Sequence, residues 1–169
     1  MPTPMPKHVE VQFYHVIGAI VVRYGTIDSL IAQICSNLIE DFGGHSSQKE
    51  PPRRLSVRLE LIGKCFRNKP ELAEMTEFMA AICDSIKNID VIRHYLVHGL
   101  LTEYWPEKEA YQFTKLDPNE DKTSYEQNSI TISHDQLADL AQACTEVVRQ
   151  LSGAGKYLLG TAAARDGQQ

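Results

Sequence analysis

Seven apolar side chains within the first forty positions fall alternately three and four residues apart: Ile17, Ile20, Tyr24, Ile27, Ile31, Ile34 and Leu38. That spacing holds one stripe on one side of a 3.6-residue helix, and a stripe of this length has to be buried along another helix. It predicts a helix from residue 13 to about residue 40 and commits the chain to a mainly α fold. Gly18 and Gly25 sit inside it. Each costs about 1 kcal/mol there relative to alanine, so they mark places where a neighbouring helix comes close. Phe42-Gly43-Gly44 is a helix stop.

A polar loop follows over 45–52. Leu55, Leu59, Ile62 and Phe66 then define a shorter second helix. Asn68-Lys69-Pro70 breaks it, and Pro70 suits the first turn of the next helix. The third helix is expected from residue 71 towards 98, with Met75, Met79, Ile82, Ile86, Ile89 and Leu96 on one stripe and Gly99 as its stop. Beyond Gly99 the pattern changes. Residues 100–105 and 110–116 read as two strands around Pro106-Glu107-Lys108-Glu109, a hairpin, with a polar loop over 117–128 and a third short strand over 129–132. Ser133-His134-Asp135-Gln136 fits a capping box, with Ser133 as the cap. The last helix then points Leu137, Leu140, Cys144, Val148 and Leu151 inward and ends at Gly153 and Gly155. The expected fold is mainly α: a four-helix up-and-down bundle with a small β-hairpin inserted before the last helix. One helical domain spans 1–155, followed by a flexible C-terminal tail over 156–169 unless Tyr157, Leu158 and Leu159 dock.

At 169 residues the chain can bury a core without a metal or disulfide staple. Cys35, Cys65, Cys83 and Cys144 form no C-x-x-C pair and read as reduced, buried thiols of a cytoplasmic protein. The first residues, MPTPMPKH, lack the apolar core of a signal peptide. The apolar run from Ile17 to Val22 stops at Arg23, well short of the roughly 20 residues of a membrane span. The net charge of −5 argues against a nucleic-acid binder that uses its whole surface, and leaves room for a local patch. Between residues 49 and 69 there are seven Lys or Arg against two Glu. Arg53, Arg54 and Arg58 are the candidates there for contacts to a nucleic-acid backbone. The acidic stretch 117–126 would repel RNA, and is expected on the far side of the molecule or as the dock of a regulator.

The end of the third helix carries the unusual chemistry, I-R-H-Y-L-V-H-G over residues 92–99. Arg93 continues the apolar stripe, within about 20° of Ile82 on an ideal helix. A lone guanidinium there would cost several kcal/mol, so it needs an acidic partner, a wet cleft or a second subunit. His94 and His98 are four apart and share a face, with Asp90 one turn earlier as a hydrogen-bond partner for His94. Arg93 and His98 diverge by about 140° on a straight helix. They serve one site if the last turn is distorted, if the arginine curls round, or if two copies of the helix face each other across a twofold.

Arg93-His94-Tyr95-Leu96-Val97-His98 resembles the R-x4-6-H signature of HEPN domains, the higher eukaryotes and prokaryotes nucleotide-binding family. His94 departs from the Asn or Asp commoner at its position. The resemblance implies a helical homodimer. It implies a metal-independent endoribonuclease of the kind that serves as a toxin or antiviral-defence effector, with RNA as substrate, no cofactor, and an antitoxin or regulatory protein as a further partner. RNA brings its own nucleophile, the 2′-hydroxyl. His98 then acts as the acid/base, Arg93 clamps the phosphate, and His94 is an auxiliary donor or orienter. Cleavage leaves a 2′,3′-cyclic phosphate. Three other readings stand beside this one. The domain could be a catalytically inactive HEPN-like module for dimerisation or for binding nucleotide or protein. Asp90, His94 and His98 could ligate a metal, although Tyr95 stands where H-E-x-x-H proteases have their Glu. Or the histidines are surface polar residues and Arg93 is half of a salt bridge between helices.

Overall fold

The structure, a computed structural model, describes residues 4–43, 50–119, 121 and 124–166. Most of the polar loop expected over 45–52 lies outside these residues, as do positions 120, 122 and 123 of the acidic stretch and the last three of the tail. The described chain is mainly helical. Helix α1 spans Lys7–Glu40, α2 Leu55–Asn68, α3 Thr76–His98 and α4 His134–Asp166. Strands β1 (Leu100–Trp105), β2 (Ala110–Pro118) and β3 (Tyr125–Ser133) form one antiparallel sheet in the order β1-β2-β3. The β element expected as a hairpin is therefore a three-stranded meander. The third strand runs well beyond 129–132 because β3 pairs with β2 from Ser133 back to Tyr125. A 3-10 turn, Pro70–Met75, precedes α3 and takes Pro70 at its first position, where the missing N–H costs nothing.

By contacts the chain divides into two compact units, one of Met1–Arg23 with Asn88–Cys144, the other of Tyr24–Lys87 with Thr145–Gln169. In the first, the sheet closes on an aromatic core. Phe13 and Tyr111 have ring centroids 4.5 Å apart, Tyr104 and Tyr111 5.4 Å, and Phe113 is 3% exposed. The expected capping box is present in full: Ser133 N–H donates to Gln136 Oε1 at 2.8 Å and Gln136 N–H to Ser133 Oγ at 3.1 Å. In the second unit the buried stripe of α1, Ile27, Ile31, Ile34 and Leu38, is joined by Ile62 and Phe66 of α2, Met79 and Ile82 of α3, and Leu151 and Leu158 of α4. Gly43 takes the left-handed conformation (φ 62°) that ends α1.

Gly18 and Gly25 do not mark a close helix approach, since a carbon added at either would meet nothing within 4 Å among the described residues. Two further sequence readings need correction. The last helix does not stop at Gly153 and Gly155 but continues to Asp166, so the boundary placed at residue 155 falls in mid-helix. Ala154, Leu158 and Ala162 are buried and extend the inward stripe, and the Tyr157 hydroxyl reaches the Glu71 carbonyl at 3.3 Å. Burial of a Leu side chain is worth about 1.5–3 kcal/mol and exceeds the cost of a helical glycine. Secondly, by length and composition α1 is apolar enough to cross a membrane, which the short run Ile17–Val22 did not suggest. Ile20, Ile27, Ile31, Ile34 and Leu38 on one side of it are buried, while Val11, Tyr14 and Val22 on the other side are more than half exposed. All four cysteines are free and buried, and burial pushes the Cys35 thiol up to about 12 and Cys83 to about 11. These thiols stay protonated at neutral pH, and such buried cysteines are unreactive.

Candidate functional site

The last two turns of α3 carry the site. Ile86 and Ile89 anchor one face in the core, and Leu96 closes it. Arg93 follows on the same stripe, half-buried, and finds its acidic partner within its own helix: Nη2 donates to Asp90 Oδ1 at 2.6 Å. Asp90 therefore serves Arg93, where the sequence suggested His94. The His94 and His98 rings lie 4.7 Å apart, with His94 half-buried and His98 exposed.

Gly99 turns the chain straight into β1, and the register of β2, with Thr114 opposite Leu100, brings the far half of β2 to the end of α3. The inward face of β2 carries Tyr111, Phe113 and then, in the same alternation, Lys115 and Asp117. The Lys115 ammonium sits 4.6 Å from the centre of the Tyr95 ring and 3.0 Å from Asp117 Oδ1. Asn128, opposite Lys115 on β3, donates from Nδ2 to Asp117 Oδ2 at 2.9 Å. These two bonds hold the Asp117 carboxyl below the usual carboxylate range. Asp117 is thus beside the histidines, and the start of the acidic stretch does not mark a face remote from them.

His94 is pushed below the ordinary imidazole range, first by burial, then by the positive charges of Lys115, His98 and Arg93, with Asp117 opposing. Its neutral form is favoured at pH 7, so it is a proton acceptor in waiting. The same shift has a sign for stability. Unfolded chains bind a proton at this position at higher pH than the folded one does, so stability is lost as pH falls below the ordinary value of 6.5 towards the lower folded value. His94→Asn should therefore show a shallower fall of melting temperature than wild type between pH 7.5 and 5. Parallel curves would contradict the assignment.

The three candidate backbone contacts divide. Arg53 and Arg54 are exposed at the entrance to α2. Arg58 is turned inward, 11% exposed, and its Nη1 meets Asp28 Oδ1 at 3.0 Å while Nη2 donates to the Arg53 carbonyl at 2.7 Å. These bonds tie α2 to Asp28 of α1 and to the segment before α2. All three belong to the unit that does not contain the histidines. That unit also has a groove of about 520 Å³ between α2 and the start of α3, floored by Leu59, Phe66, Met79 and Cys83. Among the described residues no three His, Cys, Asp or Glu side chains come together as a metal-ligand set.

Sequence reasoning missed Lys115, Asp117, Asn128 and the Tyr95 ring. One signal was available: a lysine at the next inward position after Tyr111 and Phe113 in an alternating strand, where a hydrophobic residue would pack best. The arrangement supplies two imidazoles in contact, one neutral and one exposed, beside a guanidinium and an ammonium. Such a set can move protons and hold a phosphate. No family model, curated protein or solved structure matches the chain.

Proposed function

We propose that this chain is a HEPN-like, metal-independent endoribonuclease built on a four-helix up-and-down bundle. It acts as a cytoplasmic homodimer in toxin or antiviral-defence chemistry, under the control of an antitoxin or regulatory protein. The observation that carries the reading is the His94–His98 ring pair at 4.7 Å, with Arg93 on the same helix end. A neutral imidazole takes the proton of the RNA 2′-hydroxyl, whose oxygen attacks the adjacent phosphorus. The bond from phosphorus to the 5′-oxygen breaks, and a protonated imidazole delivers a proton to the leaving oxygen. Arg93 steadies the charge on the non-bridging oxygens. His98, exposed and so able to reach substrate, carries the principal acid/base role, and its counterpart across a twofold supplies the other. Arg53 and Arg54, exposed at the entrance to α2, are proposed contacts to the RNA backbone.

The test is incubation of the purified protein with mixed RNA in excess EDTA. Fragments ending in 2′,3′-cyclic phosphate are expected. Intact RNA at stoichiometric protein would sink the reading. One observation favours a second reading, a catalytically inactive dimerisation or binding module: Asp90 already occupies Arg93 at 2.6 Å.

A further inference from the structure

Lys115 poses a separate problem. It stands on the buried side of β2 with a side chain only 15% exposed, in line with Tyr111 and Phe113, where a Leu would pack without desolvating a charge. Its ammonium has a ring beneath it and one carboxylate oxygen beside it. It also adds positive charge beside Arg93, His94 and His98, and after burial its charge is the next cause that lowers the basicity of His94. Arg93 and Lys115 bring two fixed positive charges to this place, and a bound anion would draw on both. Asp117, anchored by Asn128, supplies a negative charge to Lys115 in the free protein.

We propose that Lys115 is a phosphate-binding residue of this site, and that the Asp117 carboxylate holds the position on its ammonium that a backbone phosphodiester of single-stranded RNA takes over. The proposal rests on the RNA-directed reading of the Arg93, His94 and His98 group, and extends it to a residue of the inserted sheet. An ammonium suits the role as a compact charge with rotatable donors, while the guanidinium of Arg93 grips two oxygens at once. The two cations share one design, each held by a neighbouring acid, Asp90 for Arg93 and Asp117 for Lys115.

The test uses a fluorescent single-stranded 2′-O-methyl RNA, which cannot be cleaved because its attacking hydroxyl is capped. Binding is followed by anisotropy across a salt series. Lys115→Gln should weaken binding about tenfold and lower the slope of log K against log salt by about 0.7, the share of one single-strand phosphate contact. Lys115→Arg should keep the slope. Asp117→Asn should tighten binding several-fold, and that gain should vanish in the Lys115→Gln, Asp117→Asn double variant, since it is Lys115 that the substitution releases. Circular dichroism and melting curves confirm that the variants are folded. If Lys115→Gln unfolds, Asp117→Asn and Lys115→Arg still decide. If Lys115→Gln binds with wild-type affinity and slope while Arg93→Ala weakens binding, Lys115 has no such role and the RNA-directed reading survives. If the Asp117→Asn gain persists without Lys115, the displacement is wrong. If the wild type binds no RNA at all, both readings fall.

Discussion

Arg93→Ala should lower the rate of RNA cleavage by about 10²–10³-fold, the usual consequence of deleting a donor aimed at developing transition-state charge. Negative charge grows on the phosphorane oxygens as the 2′-oxygen attacks, and the guanidinium is the group in this site able to hold two of them together. Arg93→Lys keeps the charge but not the fork, and should recover only part of the rate. The fold should survive the change. Arg93 and Asp90 are 21% and 34% exposed, so their ion pair is partly solvated and contributes about 0–1 kcal/mol. His98→Ala should lose about 10²–10⁴-fold, as expected for a general acid or base. The two inactive variants provide a further check when mixed. If both His98 side chains are needed, as the base and as the acid, the mixed dimer keeps only one of them and activity stays low; recovery on mixing would show that one His98 with Arg93 of the partner subunit suffices. Single-turnover cleavage in EDTA reads all of this. An Arg93→Ala protein that cleaves within about threefold of wild type would remove Arg93 from the chemistry.

How much of this was legible in the chain follows from the range of the interactions concerned. Local chemistry was readable. The three-and-four spacing of α1, the proline at the head of the 3-10 turn, the reciprocal Ser133 and Gln136 bonds and the turn at residues 106–109 are set by neighbours within about four positions. The site was half legible for the same reason: Arg93, His94 and His98 lie on one helix end. Lys115 reaches them only through strand pairing and the turn at Gly99, which no local pattern encodes. The end of α4 was misread because Gly153 and Gly155 are locally unfavourable, whereas the burial of Leu158 that offsets them depends on distant partners. Arg58 shows the same limit from the other side: its charge suggested a ligand, while the partner it has in the fold is Asp28, thirty positions away.

Gly99→Ala should destabilise the protein by about 1–3 kcal/mol, the range for forcing extra atoms into a packed place, and disturb the site at the same time. The sequence marks Gly99 as a helix stop, for which the usual reason is a left-handed conformation. Among the described glycines only Gly43 has that conformation, so Gly99 is needed for space. A methyl group there would lie 2.5 Å from the Tyr95 carbonyl oxygen and 3.4 Å from that of Thr114. Both obstacles are backbone and cannot swing aside as a side chain would. The Gly99 N–H also closes the last turn on the Tyr95 carbonyl at 2.9 Å, so moving that oxygen opens the turn that carries His98. It shifts the Tyr95 ring under Lys115 as well. Gly153→Ala is the matched control. That glycine lies within α4 with nothing inside 4 Å of the added carbon, so the substitution should stabilise by about 0.5–1 kcal/mol. Urea unfolding of the two variants should therefore move in opposite directions, with loss of RNA cleavage confined to Gly99→Ala. A Gly99→Ala protein as stable as wild type would mean that the end of α3 has room this packing does not allow.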